Sequence, residues 1–128
     1  MKVILDESLP VALADHLPGH DVSSVRTEGW RGIKNGSLLG LIERASFGAF
    51  VTGDKRMEHE QQLEGRPFSV LLLSTNHLPS IIPHVGKIAE ALDRAQPGSL
   101  TKVDCGRFLP RRTRKPDSKP GPIRRLPS

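Results

Sequence analysis

Short apolar runs alternate with amphipathic or polar segments along residues 1–103. Four of these runs predict strands, at 2–7 (KVILDE), 20–25 (HDVSSV), 47–52 (FGAFVT) and 68–74 (FSVLLLS). Short, continuous apolar runs are typical of strands that are buried on both faces of a parallel sheet. The run at 20–25 is the weakest of the four, and residues 99–103 favour one further edge strand.

Apolar residues at helical spacing occupy the segments between these strands. We predict a short helix over 9–17, a second helix that opens at Asn35, a polar helix or helical turn over 55–63, and a last helix over 79–95. Strict alternation of strands and helices predicts right-handed crossovers. The expected fold is therefore α/β, with three layers (α/β/α) around a parallel sheet of four to five strands.

Charge is distributed unevenly along the 128 residues. Residues 1–106 contain 11 Lys or Arg against 13 Asp or Glu, a net charge of −2, whereas residues 107–128 contain 8 against 1, a net charge of +7. We therefore predict one domain over 1–104 and a basic, proline-rich, disordered tail over 105–128. Such a tail adds salt-sensitive attraction to RNA or DNA, or serves only as a linker.

The cysteine content and the apolar patterning bear on the cellular compartment. The single cysteine, Cys105, excludes an internal disulfide framework and suits a reducing environment. No apolar stretch approaches the roughly 20 residues that a membrane helix needs. Asp6 and Glu7 interrupt any apolar segment of a signal peptide. We therefore expect a cytoplasmic protein that has no membrane partner.

Carboxylates follow directly after two of the predicted strands. Asp6 and Glu7 end the first strand, and Asp54 follows the third. The carboxyl ends of parallel strands share one edge of the sheet, where ligands bind in open α/β folds. Clustered carboxylates repel one another unless a cation is present, and Mg²⁺ and Mn²⁺ prefer carboxylate oxygens. The sequence thus predicts a metal site at Asp6 and Asp54 and metal-dependent hydrolysis of nucleic acid.

The same residues also fit other functions, which the sequence leaves open. An Asp after a strand often caps the following turn, so Asp54 would cap a helix that begins at Lys55, and Glu7 would face solvent. A phosphoacceptor receiver domain also places acids after its first and third strands, with Asp54 as the acceptor. Receivers additionally need a Lys after the fifth strand, whereas Lys102 lies inside or before it.

An ordered set of motifs supports one further interpretation. The set comprises DESLP, GHDV, the GWRG loop, KNGSLL at the start of a helix, FVTGDKRMEHEQQL and VLLLSTN. In this order and spacing, residues 1–103 resemble PIN-like domains, most closely the small bacterial PIN-like proteins of toxin type. The resemblance implies an α/β/α sandwich and an endoribonuclease that cleaves RNA with Mg²⁺ or Mn²⁺. It also implies that the protein is the toxin of a toxin–antitoxin pair, with an antitoxin protein as its partner. Whether the protein forms a homodimer is left open.

The resemblance assigns roles to the positions that match the PIN-like pattern. It makes Asp6 the acid of the first strand and Asp54 the acid after the third strand, with Thr52 orienting Asp54. It places Asn76 where other PIN domains have a further polar or acidic ligand. With Glu7 as an assisting acid, the predicted catalytic residues are Asp6, Glu7 and Asp54.

The chain departs from the PIN-like pattern at the helix that follows the Trp-Gly loop. Relatives carry an acid there, whereas this stretch reads Asn35-Gly36-Ser37, and the next carboxylate belongs to Glu43. Asn35 offers a neutral oxygen as a supporting ligand. The missing charge motivates an alternative function, a catalytically degenerate module that binds nucleic acid or an antitoxin without cleaving RNA.

Four basic residues flank the predicted acidic site in the sequence: Arg31, Lys34, Lys55 and Arg56. Phosphate contacts position a nucleic acid without reading its sequence. Cations at these positions would hold the phosphates on either side of the scissile bond. We therefore predict that these four residues bind nucleic acid, with scattered surface charge as the alternative.

Overall fold

The computed structural model describes residues 1–60 and 63–106. A five-stranded sheet forms its centre, and every pair of neighbouring strands is parallel. The strands are β1 (Lys2–Leu5), β2 (Asp21–Ser24), β3 (Ala49–Thr52), β4 (Ser69–Leu73) and β5 (Leu100–Val103). Their order across the sheet is β2-β1-β3-β4-β5. The prediction of an α/β fold around a parallel sheet is confirmed, with five strands.

The burial of each strand follows its place in the sheet. Every side chain of β3 and β4 is buried, as expected for central strands of a parallel sheet. The edge strands β2 and β5 each bury one residue fully. Successive side chains of β1 point to opposite faces, so Val3 and Leu5 pack in one buried cluster and Ile4 packs in the other.

Helical segments cover both faces of the sheet and complete the three layers. One face is covered by α1 (Asn35–Arg44) and a 3-10 helix (Lys55–His59), which contribute Leu39, Ile42 and Met57 to the core. The other face is covered by a 3-10 helix (Val11–His16), α2 (Leu78–Ile81), a 3-10 helix (Ile82–His84) and α3 (Val85–Arg94).

Three predicted helices differ from the observed ones. The segment 9–17 forms only a 3-10 helix over Val11–His16, and the segment 55–63 forms a 3-10 helix over Lys55–His59, with residues 61 and 62 outside the described part. The single helix predicted over 79–95 is wrong, because α2, a 3-10 helix and α3 succeed one another there. Pro83 lies in the middle segment and has no N–H to donate to an α-helical ladder.

The described chain ends in a packed position. Cys105 is 1% exposed and belongs to the same buried cluster as Val103, and its N–H donates to Ser74 Oγ at 2.8 Å. Packing therefore continues past the predicted domain boundary at residue 104, and residues 107–128 of the tail predicted over 105–128 lie outside the described residues. Within the described residues, no helix has the length and apolar character needed to cross a membrane.

Candidate acidic site at the carboxyl edge of the sheet

An open pocket of about 670 Å³ lies beyond the carboxyl ends of β1 and β3. These neighbouring strands form the point where the strand order changes direction, since β2 lies on one side of them and β4 on the other. Such a switch point leaves a crevice in which open α/β proteins bind ligands. Asp6, Glu7 and Asp54 all line the pocket, so the three predicted acids share one site.

Thr52 joins the ends of the two strands. Its side chain is fully buried, and its hydroxyl donates to Asp6 Oδ2 at 2.7 Å. The hydroxyl oxygen of Thr52 also accepts a hydrogen bond of 3.0 Å from the N–H of Asp54. The predicted role of Thr52 was to orient Asp54. The hydroxyl contacts the backbone of Asp54, whereas the carboxylate that it orients is that of Asp6.

Three donors hold the carboxylate of Asp6. The N–H of Glu7 donates to Oδ1 at 2.8 Å, and the hydroxyls of Ser8 and Thr52 donate to Oδ2. The N–H of Asp6 itself donates to the carbonyl of Val51 in β3. An ionised carboxylate has about four acceptor positions, so these bonds fix its orientation and leave room for one further partner.

Asp54 interacts mainly with Arg56. Asp54 is the N-cap of the 3-10 helix Lys55–His59, because its Oδ1 accepts from the N–H of Arg56 at 3.0 Å, which confirms the capping role left open by the sequence. The guanidinium of Arg56 pairs with both carboxylate oxygens. This side-chain pairing holds the pKa of Asp54 below its usual value of 3.8, against the opposing effect of burial, and a hydrogen bond from Asn35 acts in the same direction.

The carboxylate of Glu7 makes a hydrogen bond to the loop that contains Trp30. Its Oε1 accepts a 2.9 Å hydrogen bond from the N–H of Gly32, which has a φ of +79°, a conformation that favours glycine. Trp30 packs edge-on against Phe47 with ring centroids 6.2 Å apart. Glu7 is exposed, as the solvent-facing alternative expected, and its carboxylate also contacts one wall of the pocket.

The remaining predicted site residues divide into two groups. Four of them line the pocket: Lys34, Asn35, Arg56 and Asn76. Arg31 and Lys55 do not line it. The ammonium of Lys55 donates to the carbonyl of Ser74 at 2.9 Å and lines an adjoining groove of about 730 Å³. Gly53 and Asn76 belong to both the pocket and this groove, so the two form one continuous depression.

Sequence reasoning missed two features of the pocket. Ser8 lines it and donates to Asp6, and the two-residue spacing typical of a local turn was the available signal. The ion pair between the guanidinium of Arg56 and the carboxylate of Asp54 was also missed, because Arg56 was predicted to contact phosphates. Its position two residues after an N-cap acid was the signal that pointed to a local pair.

The donor set fits a hard divalent cation only in part. Mg²⁺ is usually held by one or two carboxylates and keeps several waters, and Asp6 and Asp54 supply two carboxylates in an open pocket. Asn35 and Asn76 add neutral oxygens. Across residues 1–60 and 63–106, no group of three or more His, Cys, Asp or Glu is arranged to hold a metal ion. These residues therefore fit a weakly held, hydrated ion rather than a closed cage.

Lys102 bears on the receiver alternative. Its ammonium pairs with Glu58 Oε1 at 2.9 Å, and the side chain does not line the acidic pocket. A receiver domain requires a lysine beside its acids. Of the described residues, the cations that line this pocket are Lys34 and Arg56, neither of which follows the fifth strand.

Comparison of the chain with protein-family models, with curated proteins and with solved structures finds no match. The geometry of the chain itself defines a three-layer α/β protein with an acidic pocket at the switch point of its sheet. The resemblance to PIN-like domains stays a prediction.

Proposed function

We propose that this protein is a PIN-like endoribonuclease that cleaves RNA with Mg²⁺ or Mn²⁺ held by Asp6 and Asp54. The observation that carries the proposal is the bond from Thr52 to Asp6, which holds two acids from distant parts of the chain at one open pocket. The proposal extends to the toxin of a toxin–antitoxin pair in the cytoplasm, with an antitoxin protein that covers the pocket.

Each part of the pocket has a role in this reaction. When bound, the divalent ion would stabilise negative charge that develops on the phosphodiester. Asp6 suits the role of ligand because three donors keep its carboxylate in one orientation. Glu7 assists by anchoring the loop at Gly32, and Asn35 and Asn76 add polar contacts. Lys34 would bind a phosphate beside the cleaved bond.

The shape of the depression suits a polymer. The acidic pocket continues into the groove lined by Lys55, Ser74 and Asp104, with Gly53 and Asn76 at the junction. A nucleic-acid strand along this depression would pass the two acids and then reach the ammonium of Lys55. A single small substrate would leave most of this surface unused, and this supports RNA as the substrate class.

A second function is favoured by a specific observation. Asp54 is already paired with Arg56, and Glu7, the third acid of the pocket, accepts a hydrogen bond from the N–H of Gly32. A pocket of this kind would bind nucleic acid or an antitoxin without cleaving a bond. The second candidate is therefore a catalytically degenerate PIN-like binding module.

The test is cleavage of a fluorogenic RNA by the full chain in the presence of Mn²⁺, Mg²⁺ or a chelator. We expect cleavage with a divalent ion and none with the chelator. Asp6→Asn should lower the rate at least about 100-fold, a change of about 2.7 kcal/mol in the barrier. Asp15→Asn is the matched control, because Asp15 is exposed in the 3-10 helix Val11–His16, away from the pocket lining, and should retain the wild-type rate.

Two outcomes contradict the nuclease. A folded wild-type protein that cleaves no RNA with either ion excludes the reaction, and RNA binding by the same sample then supports the binding module. Equal rates for the wild type and Asp6→Asn assign the cleavage to a contaminant.

A further inference from the structure

The side chains of Arg56 and Asp54 form a two-pronged ion pair at the rim of the acidic pocket. Nη2 of Arg56 lies 2.8 Å from Oδ2, and Nε lies 3.0 Å from Oδ1 and 3.2 Å from Oδ2. The side chain of Asp54 is 20% exposed, whereas that of Arg56 is 84% exposed. The carboxylate thus belongs to the pocket wall, and its cation covers it from the solvent side.

This pair leaves little of the Asp54 carboxylate for another cation. The backbone N–H of Arg56 and its guanidinium already engage both oxygens. Mg²⁺ binds carboxylate oxygens directly at about 2.0–2.1 Å, and a guanidinium at hydrogen-bond distance from the same oxygens would repel it. A divalent ion and the guanidinium therefore exclude each other at Asp54.

The guanidinium can leave without loss of the local structure. It extends into water, where ion pairs contribute little to stability. The hydrogen bond from the backbone N–H of Arg56 to Oδ1 does not depend on the guanidinium. After the guanidinium departs, this backbone bond still holds Asp54 at the start of the 3-10 helix Lys55–His59.

We propose that Arg56 is an internal counter-cation, which a divalent ion displaces from Asp54 and which then binds a phosphate of the RNA. This inference rests on the proposed metal site. The displaced guanidinium remains tethered two residues from Asp54 and already lines the pocket together with Asp6. Its planar fork suits the two oxygens of a phosphate as well as those of a carboxylate. The same side chain thus weakens metal binding and strengthens substrate binding once metal is present.

Calorimetric titration of the full chain with Mn²⁺ tests the exclusion, with Arg56→Gln as the variant. We expect the variant to bind Mn²⁺ at least about fivefold more tightly, the factor that one unit-charge interaction at contact distance in water provides. The matched control is Arg94→Gln, which removes a guanidinium from an exposed ion pair with Glu90 in α3 and should leave Mn²⁺ affinity unchanged. With Mn²⁺ bound, Arg56→Gln should bind a non-cleavable RNA oligonucleotide more weakly than the wild type.

A second measurement observes the displacement in the unaltered protein. In nitrogen-edited NMR spectra, Mg²⁺ should shift the Nε–H signal of Arg56 and speed its exchange with water, and it should leave the Nε–H signal of Arg94 unchanged. Equal Mn²⁺ affinity of the wild type and Arg56→Gln overturns the inference and leaves the proposed metal site intact. An Nε–H signal of Arg56 that ignores a bound ion also overturns the inference. Absence of Mn²⁺ binding to both proteins overturns the inference together with the metal site.

Discussion

The hydroxyl of Thr52 and the carboxylate of Asp6 lie 2.7 Å apart, although the two residues are 46 positions apart in the sequence. The same hydroxyl accepts the N–H of Asp54, and Thr52 is fully buried. The hydroxyl is therefore shielded from water, whereas Asp6 and Asp54 are partly exposed where they line the pocket. One buried hydroxyl thus links the two acids on which the proposed chemistry depends.

Replacement of this hydroxyl by a methyl group should cost stability. Thr52→Val keeps the shape of the side chain but leaves the N–H of Asp54 without its acceptor and Asp6 without one donor. We expect the free energy of unfolding to fall by about 1–3 kcal/mol, measured by urea denaturation.

Thr101→Val is the matched control for this substitution. Thr101 is half-buried in β5, and its hydroxyl makes no hydrogen bond within the described residues. We expect a smaller change in unfolding free energy for this variant. Equal losses for the two variants would assign the effect to strand packing rather than to the bridge between the acids.

The ion pair of Asp54 predicts a dependence of stability on pH. The guanidinium of Arg56 lowers the pKa of Asp54 in the folded chain, so the ionised carboxylate stabilises the fold above the unfolded pKa. This contribution is lost as the pH falls through the lower, folded pKa. We therefore expect the urea midpoints of the wild type and Asp54→Asn to differ at neutral pH and to converge below pH 3.8.

Arg56→Gln separates the ion pair from other effects of Asp54. It removes the guanidinium that lowers the pKa and keeps the backbone N–H that caps the 3-10 helix Lys55–His59. We expect a weaker dependence of the midpoint on acid pH than in the wild type. An unchanged dependence would show that the guanidinium does not stabilise the ionised carboxylate.

The acid that the resemblance to PIN-like domains implies at the start of α1 is best introduced at Asn35. Asn35 lines the pocket, whereas Ser37 is exposed and does not line the pocket. Asn35→Asp should tighten Mn²⁺ binding at least about tenfold, which is about 1.4 kcal/mol. Ser37→Glu adds a carboxylate to the first turn of α1 and should stabilise the fold by about 0.3–1 kcal/mol through the helix dipole.

The test compares the Mn²⁺ affinity and the unfolding free energy of these two variants. Titration with Mn²⁺ should separate Asn35→Asp from Ser37→Glu, and urea denaturation should show the gain of Ser37→Glu. Tighter metal binding by Ser37→Glu alone would mean that the start of α1 turns toward the acids in the metal-bound protein.

We expect the ammonium of Lys34 to make a salt-dependent contribution to RNA binding. Its exposed ammonium lines the acidic pocket. Lys34→Gln should weaken binding of single-stranded RNA and lower the slope of log affinity against log salt by about 0.7, the value for one phosphate contact. Lys102→Gln is the control, because Lys102 pairs with Glu58 away from the pocket. Equal slopes for the wild type and Lys34→Gln would exclude a phosphate contact at this position.

The parallel sheet and the meeting of the acids at one edge were predictable from the sequence, whereas the order of the strands was not. Apolar runs identified β1 to β4, and they were clearest for the central strands, where residues such as Phe50 and Leu71 are buried. The carboxyl-edge rule then placed Asp6 and Asp54 at one site. This rule depends on strand direction alone, so it needs no knowledge of side-chain geometry.

Helix type and side-chain pairing were less predictable. Apolar spacing over 79–95 favours one helix, but Pro83 replaces part of it with a 3-10 turn. The bond between Glu7 and Gly32 joins residues 25 positions apart and depends on the positive φ of Gly32. The ion pair between Arg56 and Asp54 depends on the tight 3-10 geometry that follows Asp54, the N-cap of this helix. The pattern of charges along the sequence does not specify that geometry.

The bond from Thr52 to Asp6 also depends on the register in which β1 pairs with β3. The two strands run in parallel with Leu5 beside Val51. A slip of one residue would turn the side chain of Thr52 to the opposite face of the sheet. A misaligned chain would therefore lose the stabilising hydroxyl contact together with the meeting of Asp6 and Asp54, so a misfolded copy would lack the proposed metal site.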